Sequence, residues 1–108
     1  MQTQITKFSL YLKEERFYDA HEVLEELWFP RRFEKKPEVQ LLKGFINAAV
    51  SFELSKRGRA IQSKKVWSNY LKYRPLLYKV QTNKQEFYQL SRYVEAIYTE
   101  IRYNSKKI

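Results

Sequence analysis

The chain has 108 residues, 44% of them hydrophobic and 31% charged, which is one domain's length with enough apolar matter for a core. It has no cysteine and one histidine, which excludes disulfide scaffolds, thiolate chemistry, iron–sulfur clusters and multi-imidazole zinc sites. Lys and Arg outnumber Asp and Glu by 21 to 12, a net charge of +9, and two glycines leave no room for a P-loop or a dinucleotide fingerprint.

In chain order, Ile5, Phe8, Tyr11 and Leu12 mark a first short helix. A second helix runs from about Phe17 to Phe29 and stops at Pro30. Residues 30–36 form a charged connector with Arg31-Arg32 and Lys35-Lys36. Pro37 at a first helical position and Glu38 in the first turn open the third helix, which ends at Gly58, a residue that accepts the left-handed stop. Val66, Trp67, Tyr70, Leu71 and Tyr73 belong to a fourth helix that Pro75 ends or kinks. Asn83 followed by Glu86 reads as a capping box before the last helix, whose stripe is Phe87, Leu90, Val94, Ile97 and Ile101. The expected architecture is all-α: one domain over 1–108, a compact bundle of about five helices arranged as antiparallel hairpins. No segment reaches the roughly 18–20 apolar residues of a membrane span, and Phe8–Leu12 is too short for a signal peptide, so the expectation is a cytoplasmic protein.

The string HEVLEELW, residues 21–28, is the most informative stretch. At about 100° per residue, Phe17, Ala20, Val23, Leu24, Leu27 and Trp28 share one arc. His21 and Glu25 lie at its edge, while Glu22 and Glu26 face solvent. On the third helix Glu53 falls on the apolar face formed by Leu42, Phe45, Ile46, Ala49 and Phe52. A carboxylate there costs several kcal/mol, on the order expected for a buried charge, unless it finds a partner, and His21 across the interface is the expected one. Gly44, Ala48 and Ala49 are small enough to allow close helix approach.

The run Arg16-Phe17-Tyr18-Asp19-Ala20 with HEVLEELW, then LLKGFINAAVSFE at 41–53 and Gly58-Arg59-Ala60, resembles domain of unknown function family 309. The resemblance covers about residues 8–72. It implies a small all-helical fold and a polar constellation, with no established reaction. In many members a histidine stands where this chain has Glu53, and Asn usually follows the glycine where Arg59 stands.

Two readings of the constellation stay open. His21 and Glu25, one turn apart, with Glu53 from the next helix, have the spacing of a divalent-metal site for Zn, Mn or Fe, whose bound water could serve a hydrolase. Against that, HExxH is absent and a single histidine cannot supply the repeated ligands of carboxylate-bridged bundle sites. The alternative is a polar network or groove formed by His21, Glu25, Trp28 and Glu53. It would fix helix register or receive a protein segment or small ligand, in a non-catalytic interaction module; self-association is open too.

Charge is uneven. Residues 1–54 carry eight basic and nine acidic groups, residues 55–108 thirteen and three. Such a half either reflects coding composition or meets a polyanion such as nucleic acid. Lys65, Lys72 and Lys79 recur every seven residues and would form one basic stripe if the helix continued through Pro75. Tyr88, Tyr93 and Tyr103 point in different directions around the last helix, and Lys84, Arg92 and Arg102 do not make a continuous stripe.

Overall fold

Phe45 sits where three other helices converge: its ring lies 6.4 Å from Phe8, 5.7 Å from Tyr70 and 6.1 Å from Phe87. The computed structural model describes residues 1–106, which form α1 (Gln2–Lys13), α2 (Phe17–Trp28), α3 (Pro37–Lys56), α4 (Ala60–Tyr73) and α5 (Lys84–Lys106), with no strand among them. Short 3-10 turns follow α2 at Phe29–Arg31 and α4 at Arg74–Tyr78. They absorb Pro30 and Pro75, whose missing N–H and fixed φ prevent the preceding α-helix from continuing.

α3 is the central element. Val39, Leu41, Leu42, Phe45, Ile46, Ala48, Ala49 and Phe52 are all buried, so the helix is apolar nearly all round, as an enclosed helix must be. α2 packs along one side of it and α4 along the other, while α1 packs on α2. α5 closes the bundle by burying Phe87, Leu90 and Val94. Ser63 Oγ donates to the Ser51 carbonyl across α4 and α3 at 2.6 Å, so the hydroxyls of the interior do not go unpaired there.

Two three-residue links reverse the chain in the same way. After α3, Gly58 takes φ 79°, its N–H reaches the Ser55 carbonyl and the Arg59 N–H reaches Leu54. After α1, Glu15 takes φ 57°, its N–H reaches Leu12 and the Arg16 N–H reaches Tyr11. Both are Schellman closures, which satisfy carbonyls that a helix end otherwise orphans. They produce the expected hairpins α1–α2 and α3–α4.

The start of α5 differs from the capping box expected there. Asn83 has φ 55°, not the extended conformation of a capping residue, and its side-chain amide donates to Gln2 Oε1 at 3.3 Å. It ties the start of α5 to the start of α1. Glu38, in the first turn of α3, accepts from Thr82 Oγ1 at 3.0 Å and anchors the same approach.

Candidate functional site

The amphipathic pattern of α2 buries Phe17, Ala20, Val23 and Leu24, exposes Glu22 and Glu26 and leaves His21 and Glu25 at the boundary, as the wheel requires, whereas Leu27 and Trp28, at the end of the helix, are only partly buried. His21 Nε2 donates to Glu25 Oε2 at 2.7 Å, a bond that one-turn spacing permits. The His21 side chain is 24% exposed and that of Glu25 46%. The Tyr18 ring stands edge-on to the imidazole, with centroids 5.7 Å apart and planes at 83°. A hydrogen bond to the Glu22 carboxylate holds the Tyr18 phenol above its ordinary pKa. His21 thus pairs with Glu25, and Glu22 with Tyr18, along α2.

Glu53 does not join them. Its partner is Arg57, one turn further along α3, whose Nε donates at 3.0 Å. The carboxylate needed a partner at that azimuth, and a guanidinium on its own helix supplies one where His21 was expected. Among the described residues, no three of His, Asp and Glu form a group that could hold a metal ion, so His21, Glu25 and Glu53 are not gathered as ligands. Gly44 likewise serves another interface: a Cβ there would lie 2.9 Å from Tyr73 Cβ, so the glycine admits the end of α4 rather than α2.

Trp28 is half-buried, with Lys43 Nζ 4.4 Å from the centre of its indole. Next to it lies an aromatic surface that spans the end of the second helix and the charged connector. Phe29 is 53% exposed and Phe33 83% exposed. The Arg32 guanidinium lies 3.8 Å from the Phe29 ring centre and 4.5 Å from that of Phe33. Arg32 also donates to the Phe29 carbonyl at 2.6 Å, which fixes the 3-10 turn beneath it. The signal available in the sequence was two phenylalanines four residues apart, one at the helix end and one in the polar connector, directly after Trp28.

A cleft of about 520 Å³ opens elsewhere, where Phe17 and Phe52 meet Ile97 and Ile101 of α5 beneath a rim with Lys56 and Glu100. None of His21, Glu25, Trp28 or Glu53 lines it. Lys65 and Lys72 are exposed on one face of α4, but the α-helix ends at Tyr73, so exposed Lys79 does not extend their row as one helical stripe. No helix among the described residues is long and apolar enough to cross a membrane.

An all-α bundle whose second helix carries this His/Glu/Trp motif is the class of protein that fold and site define. The family model described as "Domain of unknown function (DUF309)" matches residues 5–66, more than half of the chain, and the chain belongs to that family. The match runs from α1 into α4 and includes the whole motif; α5 lies outside it. Comparison with curated proteins and with solved structures found no match.

Proposed function

We propose that this protein is a non-catalytic binding module that docks another protein chain on the aromatic–cationic patch at the end of α2. The observation that carries this reading is the pair of exposed rings, Phe29 and Phe33, both within cation–π reach of the Arg32 guanidinium and adjoining Trp28. Aromatic residues and Arg are the side chains that most often anchor protein interfaces. Burying two phenylalanine rings would contribute roughly 3–6 kcal/mol. Association has its own entropic cost, so the rings anchor the partner and the surrounding charges steer and orient it. Arg32 against both rings and Lys43 against Trp28 are cationic, and Glu34 is engaged by Arg31, which selects an apolar segment flanked by carboxylates. In this reading the His21–Glu25 pair stiffens the helix that carries the patch, and the protein works in the cytoplasm.

The test is a photo-crosslinking phenylalanine analogue at position 33, compared with the same analogue at the equally exposed position 61. A discrete heterologous adduct at 33, absent at 61 and lost in Arg32→Glu, is expected. Equal labelling at both positions, or an adduct only with a second copy of this chain, would refute a docking site for another protein.

A further inference from the structure

We propose that the solvent-facing stripe of α5, formed by Tyr88, Arg92, Arg102 and Tyr103 and continued by Lys64 of α4, binds single-stranded nucleic acid. The proposal stands on a different face and different residues from the docking patch of α2.

The geometry revises what the sequence alone suggested about these tyrosines. Fifteen residues separate Tyr88 from Tyr103, which brings them to about 60° of one another and about 22 Å apart along the helix. Tyr93 points away and is half-buried, whereas Tyr88 is 53% and Tyr103 59% exposed. Arg92 lies between the two in azimuth, its guanidinium 6.0 Å from the Tyr88 ring. Arg102 flanks the other end, 5.8 Å from Tyr98. Tyr98 is itself stacked on buried Trp67 at 4.1 Å, so this guanidinium rests on a rigid platform.

Three shallow depressions join Arg92, Tyr103, Arg102 and Lys64, while Tyr88 stands outside them, one turn before Arg92. One is lined by Arg92, Glu95, Thr99, Glu100 and Tyr103, the next by Thr99, Arg102 and Tyr103, and the third by Arg102, Tyr98 and Lys64. Shared residues make them one trough that runs along α5 and crosses to the start of α4. Two carboxylates, Glu95 and Glu100, stand against the three cations Arg92, Arg102 and Lys64. Glu95 is engaged by Arg74 at 2.6 Å and by the Tyr70 hydroxyl at 2.7 Å, which leaves Glu100 as the exposed carboxylate of the trough.

Cations alone would suit any polyanion, because phosphate contact needs only point charges. The exposed rings narrow the class. Bases of a single strand stack on aromatic faces, and cationic groups track the backbone beside them. A duplex hides its bases and gains nothing from the tyrosines. A lipid surface calls for large aliphatic side chains on the contact face, and between Tyr88 and Tyr103 the exposed residues include none.

The experiment is fluorescence anisotropy of labelled oligouridylate with the full chain across a salt series, with thermal melts confirming that each variant folds. Saturable binding that weakens with salt is expected. Arg92→Ala with Arg102→Ala should lower the slope of log K against log salt by about 1.4, that is, about 0.7 per phosphate lost. Tyr88→Ala with Tyr103→Ala should cost about tenfold or more, and the Tyr→Phe pair should bind like the parent chain. Should the double alanine variant fail to fold, Tyr88→Ala alone carries the comparison. The proposal is overturned by absence of saturable binding at low salt or by tyrosine variants that bind unchanged. It is equally overturned if a duplex, polyglutamate or phosphatidylserine vesicles compete as well as the single strand.

Discussion

Trp67 and Tyr98 stack face to face, their ring centres 4.1 Å apart and their planes within 4° of parallel. Trp67 also lies 4.6 Å from Tyr70 and 5.9 Å from Phe52, so it joins α3, α4 and α5 in one aromatic column. Trp67→Ala should therefore cost about 3–5 kcal/mol. A double-mutant cycle with Tyr98→Ala should return a coupling of about 0.5–1.5 kcal/mol beyond area burial. Urea unfolding of the four proteins measures both; additive losses would mean that α5 is not held through this stack.

The two Schellman links invite opposite substitutions. Gly58 occupies φ 79° with nothing within 4 Å of a would-be Cβ, so Gly58→Ala tests backbone strain alone and should destabilise by about 1 kcal/mol. Glu15 carries a side chain at φ 57°, so Glu15→Gly should stabilise by about as much. Thermal melts read both. A fall in the midpoint for Glu15→Gly would show that its side chain contributes more than the strain costs.

This pair also explains why some of the fold was legible in the sequence and some was not. The end of α3 could be read because glycine advertises a left-handed residue; the end of α1 uses the same geometry with glutamate, which advertises nothing. The α2 wheel was readable because amphipathic periodicity is a property of one helix. The partner of Glu53 was not, since Arg57 and His21 both satisfy a carboxylate and only the packing angle chooses between them. Asn83 and Glu86 have capping-box spacing, yet the approach of α1 diverts the Asn83 side chain to Gln2. The patch of Phe29 and Phe33 is not legible in the sequence, which divides the two between a helix end and a connector, because exposure of an aromatic is a tertiary property.

Gly44 decides how closely α3 and α4 approach. In a helix interior alanine is favoured over glycine by about 1 kcal/mol, so propensity alone predicts that Gly44→Ala stabilises. The new methyl would meet Tyr73 Cβ, which cannot swing aside because it is fixed to the backbone of α4. Overpacking of this kind costs about 1–3 kcal/mol, so the net expectation is a loss of about 1 kcal/mol in chemical denaturation. A gain would mean that α4 slides at little cost.

Tyr70 should make alkaline pH destabilising for this bundle. Burial raises the pKa of its phenol far above the ordinary 10.0, and the hydrogen bond to the Glu95 carboxylate raises it further. The folded state therefore keeps a proton that the unfolded chain releases as pH passes 10. Stability from this group is complete below that point and declines above it, by up to about 1.4 kcal/mol per pH unit. Tyr70→Phe should lose about 1 kcal/mol at neutral pH, the worth of the hydrogen bond, and show a shallower decline above pH 10. Identical slopes in the two proteins would assign the alkaline transition to another group.

His21 separates the structural reading of the motif from the metal reading. A half-exposed pair one turn apart contributes about 0.3–1 kcal/mol, so His21→Ala should lower stability only slightly. With Glu53 engaged by Arg57 instead of joining the pair, two ligands on one helix turn would give any divalent ion a weak hold. Chelator dialysis should then leave the melting temperature of the parent chain unchanged. Elemental analysis of protein purified without chelator is the decisive companion measurement. Near-stoichiometric metal that disappears in His21→Ala would mean that Glu53 leaves Arg57 to complete a site, and would sink the non-catalytic reading of this motif.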